Sequence, residues 1–230
     1  MLAGLAAAAL LLASGCGAMG GTATPTPTAA AKASTPAAAT PPAALSPGQG
    51  IRAVGTPSPD GVFRRFTGAP GMTIDPKRAY SAVFHMEKGD FTVQLLADAA
   101  PGYVNNFVFL SRLGFYNGLT FHRVIPGFVA QGGDPFNEVN GPGYMLPQER
   151  NSVKLDTGVL SMASSPAGVS GSQFFITLTP QPGLEANFAA FGRVTSGMNV
   201  VQAITPRDPS RGGTLPPGDR IKSIDIIDGQ

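Results

Sequence analysis

Phe121-His122-Arg123-Val124-Ile125-Pro126-Gly127-Phe128-Val129-Ala130-Gln131-Gly132-Gly133-Asp134 reads as two short β-rich runs, folded back at Pro126-Gly127 and closed by a Gly-Gly-Asp turn. Residues 121–124 and 128–131 are the two strands. Side chains two apart share a strand face, so Val129 and Gln131 point together, and Phe121 supports Arg123 from one face. His122 then points to the opposite face from Arg123 and reads as structural rather than as a general base. The run sets one arginine and one glutamine among large apolar residues. An apolar surface holding one fixed cation suits a ligand that is mostly apolar and needs one hydrogen bond at one moment. Prolyl peptide is such a ligand.

The same pattern continues on both sides. Residues 80–86 and 91–96 are β-rich runs separated by Glu87-Lys88-Gly89-Asp90, a hairpin signal. Pro101 opens a helical stretch to about Leu113, since proline is tolerated in a first turn. Residues 159–163, 173–178 and 189–194 continue the strands, with Gln173 and Phe175 sharing a face. Residues 198–204 read as a short second helix capped by Ser196. Residues 221–227 form a closing strand entered through Pro217-Gly218-Asp219. Many short strands with turns between them argue an all-β sandwich or barrel. Composition does not choose between the two.

The chain has 230 residues, with Gly 30 and Pro 22, a net charge of +2, one cysteine, two histidines and no tryptophan. One globular domain plus extra sequence is the expectation. No Lys/Arg stripe is present, so no nucleic-acid partner is expected. A single cysteine makes no internal disulfide, and two histidines build no ordinary zinc site alone, so neither metal nor cofactor is expected. Phe84, Phe91, Phe107, Phe109, Phe115 and Phe174 read as core. Ser170 and Ser172 lie in a segment that lacks the last glycine of a nucleophile elbow, and no triad is in evidence, which disfavours a hydrolase.

The first residues belong to targeting rather than to the fold. Residues 1–12 are an Ala/Leu-rich apolar run, too short to span a bilayer, and read as the core of a secretion signal. The run ends in Leu12-Ala13-Ser14-Gly15-Cys16, which resembles the bacterial lipoprotein box, with Cys16 taking the lipid. No Lys or Arg precedes the run, and Ala13 stands where Leu is commonest. An ordinary cleaved signal is the alternative. Signal and lipobox thus occupy 1–16. Residues 17–60, rich in Ala, Thr and Pro, cannot bury enough surface to offset chain entropy and read as a disordered, extended linker. Residues 61–74 are transitional, and Phe63, Phe66 and Met72 either dock or form tail. Nothing before about Phe63 is expected to support the core. The domain proper is assigned to 75–230.

The run 121–134 resembles the signature of the cyclophilin-type peptidyl-prolyl isomerases. Gly158-Val159-Leu160-Ser161-Met162-Ala163 through Gly171-Ser172-Gln173-Phe174-Phe175-Ile176 resembles that family's other signature. Phe191-Gly192-Arg193-Val194 follows at the family's usual distance. The resemblance covers residues 75 to 228, about two thirds of the chain. It implies a mainly β fold, a closed eight-stranded antiparallel barrel capped by two α-helices.

The implied activity is rotation about X–Pro bonds. That rotation has a barrier near 20 kcal/mol and takes about tens to hundreds of seconds uncatalysed. Reaching milliseconds needs roughly 6–7 kcal/mol of transition-state stabilisation. No bond breaks, so no nucleophile or metal is required. The twisted nitrogen gains a lone pair, and a donor aimed there helps only during rotation. The resemblance and the chemistry give Arg123 as that donor, with Gln131 as its orienting partner. It implies Phe128, Val129, Phe175, Leu184 and Phe188 as the apolar pocket, with Ala163, Ser164 and Gln173 completing the substrate site. Ser164 stands where the family usually has Asn and binds through its backbone. Phe188 stands where His or Tyr is usual, and Gly183 where a large aromatic is frequent.

The expected protein is an extracytoplasmic, lipid-anchored, monomeric isomerase acting on proline-containing polypeptides during folding. The alternative is a proline-peptide binding module or holdase on the same barrel, which would have no need of a transition-state donor. A solute-binding lipoprotein is disfavoured by small size and the lack of a second lobe.

Overall fold

The computed structural model describes residues 51–136 and 141–229. The signal, Cys16 and most of the linker lie outside the described residues. Nine strands and two α-helices follow in order: β1 Tyr80–Met86, β2 Gly89–Leu95, α1 Pro101–Arg112, β3 Phe121–Val124, β4 Val129–Gly132, β5 Met145–Leu146, β6 Val159–Ser165, β7 Gly168–Thr177, β8 Ala190–Ser196, α2 Met198–Gln202 and β9 Ile221–Asp228. All pairings are antiparallel, along the path β3-β4-β7-β6-β8-β2-β1-β9, with β5 beside β7.

The expected closed barrel is an open one. β3 and β9 end the path without pairing as strands. They approach only at their N-terminal ends, where Thr120 bridges Arg220 and the Gly118 and Phe121 amides donate to the Ile221 and Asp219 carbonyls. Further along, Val124 instead exchanges backbone bonds with Arg207, at 2.6 and 2.9 Å. The loop after α2 therefore takes the edge of β3 that closure by β9 would need.

Aromatic side chains fill the interior. Phe84 stacks on Phe91 at 4.4 Å, Phe107 meets Phe174 edge-on at 5.8 Å, and Phe115 is fully buried. α1 opens at Pro101, as expected, but its free amides at Gly102 and Tyr103 are capped from afar. The Glu149 carboxylate accepts from both, at 2.9 and 2.8 Å. Asn106 in the same helix donates to the Gly171 carbonyl at 2.8 Å, which ties α1 to β7.

Two local expectations change. Ser196 does not cap α2; it ends β8, and Gly197 holds the cap position at φ 77° with no side-chain bond. A Cβ there would lie 2.5 Å from the Asp90 carbonyl oxygen, so the left-handed turn between β8 and α2 needs glycine. β7 also begins earlier than expected, because its first residues pair with the end of β6 and with β5.

The segment before β1 is part of the packing. Phe66 is only 4% exposed and meets Phe109 edge-on at 5.8 Å. Its amide donates to the Pro142 carbonyl at 2.8 Å. Arg64 is buried and donates to the carbonyls of Phe115 and Asn117, at 3.1 and 2.7 Å, and to the Asp60 carboxylate. The Arg64 hydrogen bond holds the Asp60 carboxyl below its ordinary pKa. Phe63 and Met72, at 39% and 55%, are exposed. Ile51 and Ala53 also pack on the core, and Ala53 bridges Phe66. Support for the core thus begins earlier than composition indicates. We refer to residues 51–74 as the strap.

Candidate active site

Arg123 owes its position to an irregularity in β3. Phe121 lies opposite Gly132 and Arg123 opposite Gln131, so two steps on β3 match one step on β4. His122 is the extra residue of a β-bulge, and bulges re-aim side chains. Strict alternation put Phe121 behind Arg123 on one face. The bulge breaks that alternation: Phe121 is fully buried and packs edge-on against Phe174 at 5.9 Å, in the core rather than in the site. Arg123 is left half-buried at the mouth of a hollow.

The β6–β7 pairing is also irregular across the hollow: two steps from Met162 to Ser164 on β6 match five from Phe174 to Val169 on β7, so the extra residues belong to β7. Ala163 and Ser164, on the β6 side of this irregularity, both line the hollow. The full lining is Arg123, Phe128, Val129, Gln131, Ala163, Ser164, Phe175, Leu184 and Phe188. Its volume is about 190 Å³. Ordinary small-molecule sites are about 300–1,000 Å³. The hollow therefore suits one side chain of a longer ligand rather than a whole small molecule.

The apolar wall is built from three parts of the chain. Phe128 and Val129 come from the start of β4 and the turn before it, and Phe175 from β7. Leu184 and Phe188 come from the segment after β7, where the Phe188 amide donates to the Leu184 carbonyl at 3.0 Å. Phe175 and Phe188 meet edge-on at 5.3 Å. The Arg123 guanidinium lies 5.5 Å from the Phe128 ring centre and donates to Gln131 Oε1 at 3.3 Å. Gln131 Nε2 in turn donates to Gln173 Oε1 at 2.9 Å.

Every residue assigned to the site from sequence is brought to this place except Gln173, which lines a neighbouring hollow with Gln131, Ala163, Ser164, Ser165 and Ser170. Ser165 and Ser170 were not foreseen there. Neither a serine at a strand end nor one buried within a strand carries a pattern that marks it. Ser170 and Ser172 are buried and structural: the Ser170 hydroxyl accepts from the Gln173 amide at 3.0 Å, and Ser172 Oγ donates to the Gly133 carbonyl at 2.7 Å. Gly133, at φ 84°, leaves no room for a Cβ, which would lie 2.5 Å from the Ser172 carbonyl oxygen.

His122 takes part in none of these bonds, and its Nδ1 is buried without a hydrogen-bond partner. Burial holds its imidazole below the ordinary pKa, with Asp134 opposing and Arg123 and Arg207 reinforcing. A lowered folded pKa means that the unfolded chain binds more protons between the folded value and about 6.5. Stability from this group is full above about pH 6.5 and falls as pH drops toward the folded value. Melting curves at pH 7.5 and pH 5 should show a smaller acid shift in His122→Gln than in wild type. Equal shifts would show that other groups govern the acid response.

The family model described as cyclophilin type peptidyl-prolyl cis-trans isomerase/CLD matches residues 82–226. A peptidyl-prolyl cis-trans isomerase of Synechococcus elongatus is 43% identical over 147 residues, covering 64% of this chain and 95% of its own length. Peptidyl-prolyl cis-trans isomerase B of Bacillus subtilis is 46% identical over 129 residues, covering 54% and 90%. Among solved structures, a cyclophilin-type isomerase of Cryptosporidium parvum superposes with a TM-score of 0.58 at 32% identity, covering 66% of this chain and 99% of that one. The same protein was also crystallised in the presence of the dipeptide Ala-Pro, and that structure superposes at 0.57.

Proposed function

The chain belongs to the cyclophilin-type peptidyl-prolyl cis-trans isomerases, and on that premise we propose that its substrate is an X–Pro segment seated in the hollow beside Arg123. The carrying observation is the placement of Arg123. It stands at the edge of an apolar hollow sized for one side chain, held by Gln131 and flanked by Phe128. A proline ring against Phe128, Phe175 and Leu184 puts its nitrogen within reach of the guanidinium. The nitrogen accepts a hydrogen bond only when the amide is twisted, so the donor stabilises the transition state and not the planar ends. Gln131 holds the fork without titrating. An assay of X–Pro isomerisation on the full chain tests this. Acceleration is expected; peptide binding without acceleration would instead leave the holdase reading.

The place of action is part of the same proposal. The apolar run before Cys16 and the Ala/Thr/Pro-rich stretch after it support a lipid-tethered domain working outside the cytoplasmic membrane. Cys16→Ser should abolish acyl labelling in cells, since the chain has no other cysteine. Persistent labelling would remove the anchor from the account.

The family's inhibitor cyclosporin should bind weakly here. Gly183 offers no ring where a rim aromatic is frequent. A lost aromatic contact costs on the order of 2–4 kcal/mol, or roughly 30- to 1,000-fold in affinity. Space is available, since a Cβ on Gly183 meets nothing within 4 Å. Gly183→Trp should raise sensitivity more than it changes turnover. Inhibition curves on both proteins decide it, and tight inhibition of the wild type would contradict the assignment.

A further inference from the structure

A series of side-chain contacts runs from the strap to Arg123. The Arg65 guanidinium lies 4.2 Å from the ring centre of Phe136. The Phe136 amide donates to Asp134 Oδ1 at 3.1 Å. Asp134 Oδ2 accepts from Gln173 Nε2 at 3.1 Å. Gln173 Oε1 accepts from Gln131 Nε2 at 2.9 Å, and Gln131 Oε1 accepts from Arg123 Nη1 at 3.3 Å.

The two ends of the side-chain part differ in kind. A carboxylate only accepts hydrogen bonds, and a guanidinium only donates. Each glutamine between them can do both, so the ends set the direction. Asp134 draws the Gln173 amino group toward itself, which turns the Gln173 oxygen to Gln131. That draws the Gln131 amino group away from Arg123 and leaves the Gln131 oxygen as the acceptor for the guanidinium. Asp134 is itself fixed, because the turn before it is pinned by Ser172 on Gly133.

We propose that Asp134 is a positioning residue for Arg123: through Gln173 and Gln131 it keeps the guanidinium aimed into the hollow, while Arg65 of the strap steadies the turn that carries it. This rests on the reading of Arg123 as the transition-state donor. Arg65 itself lies outside residues 82–226, the part matched by the family model.

The test is kcat and KM for an X–Pro peptide on the full chain. Small misplacements of a reacting group cost up to about 10²-fold in rate, so Asp134→Ala should lower kcat about tenfold with KM changed less than about twofold. Asp134→Asn has nearly the same volume and keeps one acceptor oxygen, so it guards against misfolding; it should lose about threefold. Arg65→Ala removes the cation–π contact with Phe136 and should lose about two- to fivefold in kcat. The deciding comparison is a double-variant cycle. In an Arg123→Ala background, Asp134→Ala should cause no further loss, since nothing remains to be positioned. Unchanged kcat in a folded Asp134→Ala protein overturns the proposal, as does the same tenfold loss in the Arg123→Ala background. Unchanged kcat in Arg65→Ala removes the strap from it. Full turnover in Arg123→Ala would instead overturn the donor reading and the relay with it, which tells the two failures apart.

Discussion

Arg123→Ala should lose about 10²–10³ in turnover, the usual cost of one transition-state donor in a shielded site. The protein should stay folded, because the side chain sits at the mouth of the hollow and outside the aromatic core. Prolyl peptide should still bind, because the apolar wall of Phe128, Phe175 and Leu184 is untouched. The loss then falls on kcat with KM little changed, the sign of an interaction made only in the transition state. Arg123→Lys should not restore the rate. A flexible point charge lacks the planar fork that Gln131 holds at one edge while another edge faces the hollow.

The second large effect is on stability. Phe66→Ala should cost about 3–5 kcal/mol, as for other buried phenylalanines. The ring is 4% exposed and seated between Phe109 and Phe115, with centroids 5.8 and 6.5 Å away. For a domain of this size the cost corresponds to a fall of roughly 6–20 °C in melting temperature. Removing the whole strap should do more. It would also strip Arg64 from the Phe115 and Asn117 carbonyls. Calorimetry on wild type and Phe66→Ala checks this, and a change below about 1 kcal/mol would mean that the strap rests on the barrel without holding it.

The core of the site was legible because one contiguous run carries it. Arg123, Phe128, Val129 and Gln131 lie within nine residues around a Pro-Gly turn, and such a hairpin folds its own residues together. Leu184 and Phe188 were different. No local pattern joins them to β4, and only the family resemblance brought them in. The bulge at His122 left no mark, since no glycine or proline stands there, and so the period-two reading put Phe121 on the wrong side. The helix and the hairpin before it were clear from Pro101 and from the β-rich runs beside Lys88-Gly89. The failure of closure was not, because it depends on where the loop bearing Arg207 settles, a tertiary contact with no local signal. The strap was hidden by composition. Phe66 and Arg64 stand in a stretch rich in Gly, Pro and Thr, where composition leaves docking and tail both open until their partners are known.

Exchange spectroscopy on a short peptide with a single X–Pro bond tests the central claim most directly, because one sample reports both binding and rotation. With wild type, peptide signals should shift on binding, and the cis and trans forms should interconvert far faster than in buffer. With Arg123→Ala the binding shifts should persist while the exchange rate falls by about 10² or more. Exchange near the wild-type rate in a folded, peptide-binding Arg123→Ala protein would contradict the account.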